Sequence, residues 1–286
     1  MFFVTGTPTR ISARLASSDG FEQNSLDDDF PVHAVGTADG RLIGVLSRRS
    51  ATIWATKPHA LLAKTSRSTL TVLEDGVNSQ LVFNRDGSSF VVVTDKGYLH
   101  FYSLVFDSMQ GLVLDFASGT HTVNFNPGDR DGLVSTTIIF RMALEIDTGV
   151  ACAVGLNDEL LLCTRDSPSL LSLSWSGKVN DNATTSLGDL SFLQDSTEML
   201  SQMTSNDAND VFAWTDSAGR AYISQKLSEV DPHEAPSEDS DEFGEEKLEW
   251  AGICFYDLAE SDVLLAPATS IAINSRFLLI AVGDDK

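Results

Sequence analysis

The five histidines, His33, His59, His100, His121 and His233, come first, because imidazole is both the commonest metal ligand and a general acid–base group. None stands three to five residues from a second His or a Cys, so the spacing of a zinc site is missing. His100 alternates with Leu99 and Phe101 and reads as an exposed or hydrogen-bonded strand residue. Cys152, Cys163 and Cys254 are an odd set without a C-x-x-C pair, which indicates neither a disulfide framework nor a zinc site and fits a reducing compartment. Asp129-x-Asp131-Gly132 has the centre of a calcium loop, where carboxylates two apart share one cavity. Pro127 and Ile138 occupy the positions of its first ligand and closing Glu, so a solvated turn is the expectation. Ser176-Gly177-Lys178-Val179 has only the Gly-Lys of a phosphate loop and reads as a hairpin turn after Trp175. No G-x-S-x-G elbow occurs, and no motif places a pair of carboxylates. No catalytic, cofactor-binding or metal-ligating residue is therefore assigned and no cofactor is expected. A hydrolase or lyase would need polar groups converging on one site from distant parts of the chain. The expectation is a binding module rather than an enzyme.

The elements that would position such groups are strands. Apolar runs of four to seven residues rich in Val, Leu, Ile and Phe are punctuated by Asp-Gly, Asn-Asp and Ser-Gly turns. The best helical candidate, near Leu187 to Met203, is short and interrupted by Gly188. The fold class is all-β, with at most a short helix.

Repetition is the stronger signal. Four segments superpose: NRDGSSFVVVTDKGYLHFY from Asn84, LNDELLLCTRDSPSLLSLSW from Leu156, ANDVFAWTDSAGRAYI from Ala208 and INSRFLLIAVGDDK from Ile273. A more distant copy, TADGRLIGVLSRRSATIW from Thr37, ends on Trp54 in the place of Tyr102 and Trp175. Aligning Arg48, Asp95, Asp166, Asp216 and Asp284 gives steps of 47, 71, 50 and 68 residues. Two steps match a WD-repeat-like β-propeller blade of about 40 to 50 residues, and the other two each need an insertion of about 20. One insertion is the acidic segment Ser228 to Glu249, with ten carboxylates, one lysine and two prolines, which is expected to be a disordered inter-blade loop. The other is assigned to Asp115 to Gly132. A blade buries its faces only against its neighbours, and five copies do not comfortably close a ring. The last copy stops at Lys286 directly after its second turn. Residues 1–286 are therefore read as the N-terminal part of a propeller, incomplete at the C-terminus, with the last blade truncated.

The 41 acidic residues against 19 basic ones give a net charge of −22, which repels nucleic-acid phosphates and anionic lipid headgroups. Neither nucleic-acid binding nor direct membrane insertion is expected. The opening MFFVTGTPTR has no basic region before its apolar residues, and the run from Phe277 to Val282 falls far short of a membrane span. A soluble, cytoplasmic protein follows, in which the Asn182-Ala183-Thr184 sequon has no role. Ser237 and Ser240 lie among carboxylates, where acidophilic kinases act; a solvated linker is the plainer account of them.

Five stretches carry a family likeness: MFFVTGTPTR, LIGVLSRRSATIWATKPHALLA, VFNRDGSSFVVVTDKGYLHFYSL, DELLLCTRDSPSLLSLSW, and AGICFYDLAESD followed by SIAINSRFLLIAVG. In order and wording they resemble the N-terminal propeller of the Ric-one family, the large subunit of the Golgi exchange factor for the small GTPase Rab-six. The most specific piece is the Ile43 to Trp54 strand pair followed by Pro58. Gly-His and Trp-Asp dipeptides are absent, so common WD-repeat scaffolds match less well. The resemblance implies a guanine-nucleotide exchange complex with an arrestin-like Rgp-one-like partner subunit, acting on a Rab-six-type small GTPase in endosome-to-Golgi retrograde transport, peripheral on the cytosolic face of the Golgi. Exchange works by binding the nucleotide-free GTPase more tightly than the loaded one, which requires neither nucleophile nor metal. The alternative reading is a general vesicle-trafficking or coat scaffold propeller with no exchange activity.

Overall fold

The computed structural model describes the backbone strands of residues 2–7, 10–17 and 20–26 and, beyond them, residues 31–56, 59–107, 135–193, 198–206, 208, 210–226, 250–257, 266–274 and 276–283. The strands form a series of antiparallel meanders. A three-stranded sheet is formed by β1 (Phe2–Thr7), β2 (Arg10–Ser17) and β3 (Gly20–Leu26). Four four-stranded sheets follow. The first comprises β4 (Pro31–Gly36), β5 (Leu42–Ser47), β6 (Ser50–Thr56) and β7 (His59–Ser66). The second holds β8 (Asn78–Phe83), β9 (Ser89–Thr94), β10 (Tyr98–Asp107) and β11 (Ser135–Glu145). The third has β12 (Val150–Gly155), β13 (Glu159–Thr164), β14 (Ser169–Ser174) and β15 (Val179–Ser186). The fourth has β16 (Leu200–Ser205), β17 (Phe212–Asp216), β18 (Ala221–Lys226) and β19 (Trp250–Tyr256), and a hairpin of β20 (Ala268–Ile273) and β21 (Leu278–Val282) ends the series. Each four-stranded sheet pairs its strands in chain order, which is the blade of a β-propeller. The fold class is all-β and WD-repeat-like, as expected.

The helix lies elsewhere than the sequence reading put it. Residues Leu187–Asp189 form only a single 3-10 turn, and Leu200 onward is strand. The one α-helix among the described residues, α1 (Thr69–Asp75), joins the first blade to the second. Ser68 accepts from the Thr71 N–H at its N-terminus, and Gly76, at φ 86°, closes its C-terminus by donating to the Val72 carbonyl.

The chain divides into two compact units, residues 1–150 and 151–286. In the first, Leu42, Leu46 and Ile53 of one blade pack with Leu81, Phe90, Val92 and Tyr102 of the next, the rings of Phe90 and Tyr102 stacking at 4.9 Å. In the second unit, Leu161, Cys163 and Leu170 pack with Leu200, Phe212, Trp214 and Tyr222. Ala213 and Ala221 face the other way, onto Ala268 and Ile271 of the terminal hairpin. The second strand of a blade is thus covered on both faces, which explains why β9 and β13 read as the unbroken runs Val91-Val92-Val93 and Leu160-Leu161-Leu162 and not as alternation. Each such buried side chain contributes about 1.5–3 kcal/mol.

The repeat alignment needs two adjustments. Ile43 pairs with Trp54, Phe90 with Tyr102 and Leu160 with Leu173, so Leu173 occupies the place given to Trp175. Trp175 lies past the end of β14 in the following turn, its indole N–H donating to the Leu156 carbonyl at 3.3 Å. The residues closing each second strand are Ser47, Thr94, Thr164 and Asp216, spaced by 47, 70 and 52 residues. Asp95 and Asp166 fall one and two places later. The insertions assigned to Asp115–Gly132 and Ser228–Glu249 lie outside the described residues.

Candidate protein-interaction site

The four closing residues share one task. The N–H of Ser50 donates to Ser47 Oγ at 3.1 Å, that of Tyr98 to Thr94 Oγ1 at 3.0 Å, that of Ser169 to Thr164 Oγ1 at 3.0 Å and that of Arg220 to Asp216 Oδ1 at 2.9 Å. All four are buried. A short polar side chain at the end of the strand thus satisfies the amide that opens the next one, as turn residues of this kind do. Their role is to hold the blade turns.

The turns also tie blade to blade. The Arg48 carbonyl accepts from Asn78 N at 2.9 Å and that of Gly219 from Ala268 N at 2.9 Å, while that of Gly97 accepts from Ile146 N at 3.0 Å just past the end of β11 in its own blade. In the fourth blade the turn is a buried ionic cluster. Asp216 accepts from the N–H of Ala218 and of Arg220, from Arg220 Nε at 2.6 Å and from the Tyr222 hydroxyl at 3.0 Å. Burial first, and then the Asp216 charge, push the Tyr222 phenol well above its ordinary range, so it remains a donor.

The second blade has a different polar centre, built around α1. Buried Arg67 donates from Nη1 to the Gly76 carbonyl at 2.8 Å and to Asn78 Oδ1 at 2.9 Å, and from Nη2 to the Thr71 carbonyl at 3.0 Å. Asp75 lies 3.7 Å from Arg67 Nη2 and 3.3 Å from His100 Nε2, the latter contact without hydrogen-bond geometry. Burial above all, and then the charge of Arg67, push His100 down to about 4 against the opposing pull of Asp75. His100 is therefore neutral and buried; it is a strand residue, as the sequence indicated, but not an exposed one.

The remaining residues singled out in the sequence do not come together. His33 Nδ1 accepts from Leu81 N at 3.2 Å, and burial lowers its pKa. Cys152 and Cys163 are buried free thiols, and the pKa of Cys152 is raised well above the thiol range, first by its hydrogen bond with Cys163 and then by burial. Gly177, at φ 77°, donates to the Ser174 carbonyl at 2.8 Å in the turn between β14 and β15, the hairpin expected there. Asp129, Asp131, His121, His233, Ser237 and Ser240 lie outside the described residues. Among the described residues no three His, Cys, Asp or Glu side chains gather as metal ligands would. No helix among them is long and apolar enough to cross a membrane.

What the described surface does offer is apolar side chains on fixed elements: Leu70 and Leu73 on α1, Phe140 on β11, and Phe277 and Leu279 at the terminal hairpin. Such side chains on a rigid scaffold suit contact with other proteins more than turnover of a small molecule.

Fold and surface together define a WD-repeat-like propeller whose described residues present contact surfaces and no assembled reaction centre. The chain is 20% identical over 302 aligned positions to the guanine nucleotide exchange factor subunit ric1 of Schizosaccharomyces pombe, an alignment that takes in 99% of this chain and 26% of that protein. It therefore spans about a quarter of the length of that relative. Among solved structures, the Cps50 (Swd1) β-propeller domain of Myceliophteria thermophila superposes with a TM-score of 0.49 at 9% identity, over 78% of this chain and 66% of that one. No protein-family model matches the chain.

Proposed function

We propose that the chain is the propeller region of a guanine-nucleotide exchange subunit for a Rab-six-type small GTPase, serving as a protein-interaction platform in endosome-to-Golgi retrograde transport. The observation that carries this reading is the likeness to an exchange-factor subunit along 99% of the chain, on a framework of repeated blades. Exchange lowers the affinity of a GTPase for its nucleotide through contacts that differ between the loaded and the empty state, so rigid surfaces suffice. In this reading residues 1–286 are the N-terminal part of the propeller, the 228–249 segment is an inter-blade loop, and the protein is held on the cytosolic face of the Golgi by its partners.

The test is reconstitution of the full-length protein with an Rgp-one-like subunit. Release of a fluorescent GDP analogue from a Rab-six-type GTPase is expected to accelerate with the pair present. An unchanged release rate with both subunits present would favour a trafficking or coat scaffold instead.

A further inference from the structure

The geometry points to a docking site on the first unit for an acidic, amphipathic helical segment of a partner protein, formed by Leu70 and Leu73 of α1 and the paired arginines Arg48 and Arg49.

A seven-residue helix is not stable by itself in water, and in proteins such helices usually persist by burying an apolar face. α1 buries none of its residues, and Leu70 and Leu73, one turn apart, are 64% and 68% exposed. Polar clamps hold it instead. Arg67 grips the Thr71 and Gly76 carbonyls from beneath. Lys96 Nζ donates to the Leu73 and Glu74 carbonyls at 2.7 and 3.1 Å, placing a cation on the C-terminal end of the helix. Thr94 Oγ1 donates to the Asp75 carbonyl at 2.6 Å, and Asp95 accepts from Val77 N at 2.8 Å. The result is a helix fixed in place with its two largest apolar side chains in water. A surface ordered before binding does not have to be ordered by binding, which is the arrangement that favours recognition.

Two cations stand on a turn whose backbone is bonded to both flanks of this helix. The turn between β5 and β6 presents Arg48 and Arg49, both exposed and without a carboxylate partner among the described residues. Their carbonyls accept from Asn78 N and Arg67 N, so the turn is pinned to both flanks of α1. In a chain of net charge −22, two exposed arginines without a carboxylate partner among the described residues, on a turn bonded to both flanks of the helix that carries two exposed leucines, select a partner that brings carboxylates and an apolar stripe together. An anionic membrane would meet the same patch only by bringing the strongly acidic remainder of the chain close to its headgroups, so a protein segment is the fitting occupant. The inference rests on the first unit alone and stands independently of the exchange reading.

The probes are fluorescein-labelled five-turn amphipathic helices with leucine on one face and glutamate on the other, and a sign-reversed set with lysine in place of glutamate. Anisotropy with the full 286-residue chain is expected to show saturable binding of the glutamate helices, weakening as salt is raised. R48E/R49E and, separately, L70S/L73S are each expected to weaken binding about tenfold or more, with unchanged circular dichroism and melting because all four side chains are exposed. R48Q/R49Q serves as the milder pair should charge reversal disturb folding. Absence of saturable binding, equal binding of the lysine helices, or unchanged affinity in both double variants would overturn the proposal. Binding to phosphatidylserine-containing vesicles that is lost in R48Q/R49Q, with no binding of the glutamate helices, would assign the patch to lipid and overturn it too.

Discussion

The hydroxyl of Tyr222 donates to Asp216 Oδ2 at 3.0 Å, inside a turn where the same carboxylate also receives two backbone amides and the side chain of Arg220. An almost fully buried carboxylate is tolerated here because four donors are directed at it. Replacing it removes the acceptor and strands the donors together. Asp216→Ala is expected to destabilise the second unit by about 3–5 kcal/mol, since Arg220 loses its counter-charge and Tyr222 its acceptor. Asp216→Asn, which keeps an acceptor oxygen, is expected to cost clearly less. Urea unfolding followed by tryptophan fluorescence reports the difference, because Trp214 and Trp250 pack at 5.5 Å in the same blade. Equal and small losses in the two variants would refute a binding role for the charge in this turn.

The turn between β9 and β10 offers a test of how closely a blade turn packs against the backbone that follows β11. Gly97 has a φ of 86°, and a Cβ there would lie 2.8 Å from both Gly149 Cα and the Ile146 carbonyl oxygen, which are backbone atoms that cannot rotate away. Its own carbonyl receives the Ile146 amide. Gly97→Ala is therefore expected to cost about 2–4 kcal/mol, beyond the usual penalty of about 1–2 kcal/mol for a left-handed alanine, because the Gly97–Ile146 backbone bond must open as well. Gly40→Ala is the matched control: it shares a positive φ of 69° but its Cβ meets nothing within 4 Å. If the two substitutions lowered the melting temperature equally, crowding against Ile146 and Gly149 would have no part in the effect.

Much of this architecture could be read from the residues. Runs such as Phe90-Val91-Val92-Val93 and Leu160-Leu161-Leu162-Cys163 mark strands buried on both faces, and the Asp-Gly and Lys-Gly turns around them set a blade-length period. The alignment slipped at the turns because the locking group is defined by hydrogen-bonding capacity and not by type: Ser47, Thr94 and Thr164 do with a hydroxyl what Asp216 does with a carboxylate. Following the aspartates alone selected Asp95 and Asp166, which merely neighbour those positions.

α1 escaped notice for a related reason. Its cap signals, Ser68 before it and Gly76 after it, were present, but seven residues give too short a window for a helical period, and Leu70 and Leu73 face water instead of a core. The Arg67–Asp75–His100 cluster was invisible because it joins a loop to a strand in the neighbouring turn region of the fold, and only tertiary structure makes that juxtaposition. His100 looked like any polar residue alternating with apolar ones.

That histidine carries the last prediction. Its pKa, pushed down to about 4 mainly by burial, lies below the ordinary value of 6.5, so between those values the unfolded chain holds a proton that the folded chain excludes. Stability is therefore complete above pH of about 6.5 and is lost as pH falls towards about 4. From pH of about 7.5 to about 5.5 the loss amounts to about 1.4 kcal/mol, before most carboxylates titrate. His33, lowered in the same direction by burial, adds to the slope with the same sign, because protonating Nδ1 would take away the acceptor of the Leu81 amide. His100→Gln does not titrate there, and its urea midpoint is expected to vary less over this range than that of the parent chain, while His33→Gln keeps the His100 contribution. Should His100→Gln keep the whole pH dependence of the parent chain, the proton that destabilises the first unit would bind elsewhere, and the neutral, buried state of His100 beside Arg67 would be wrong.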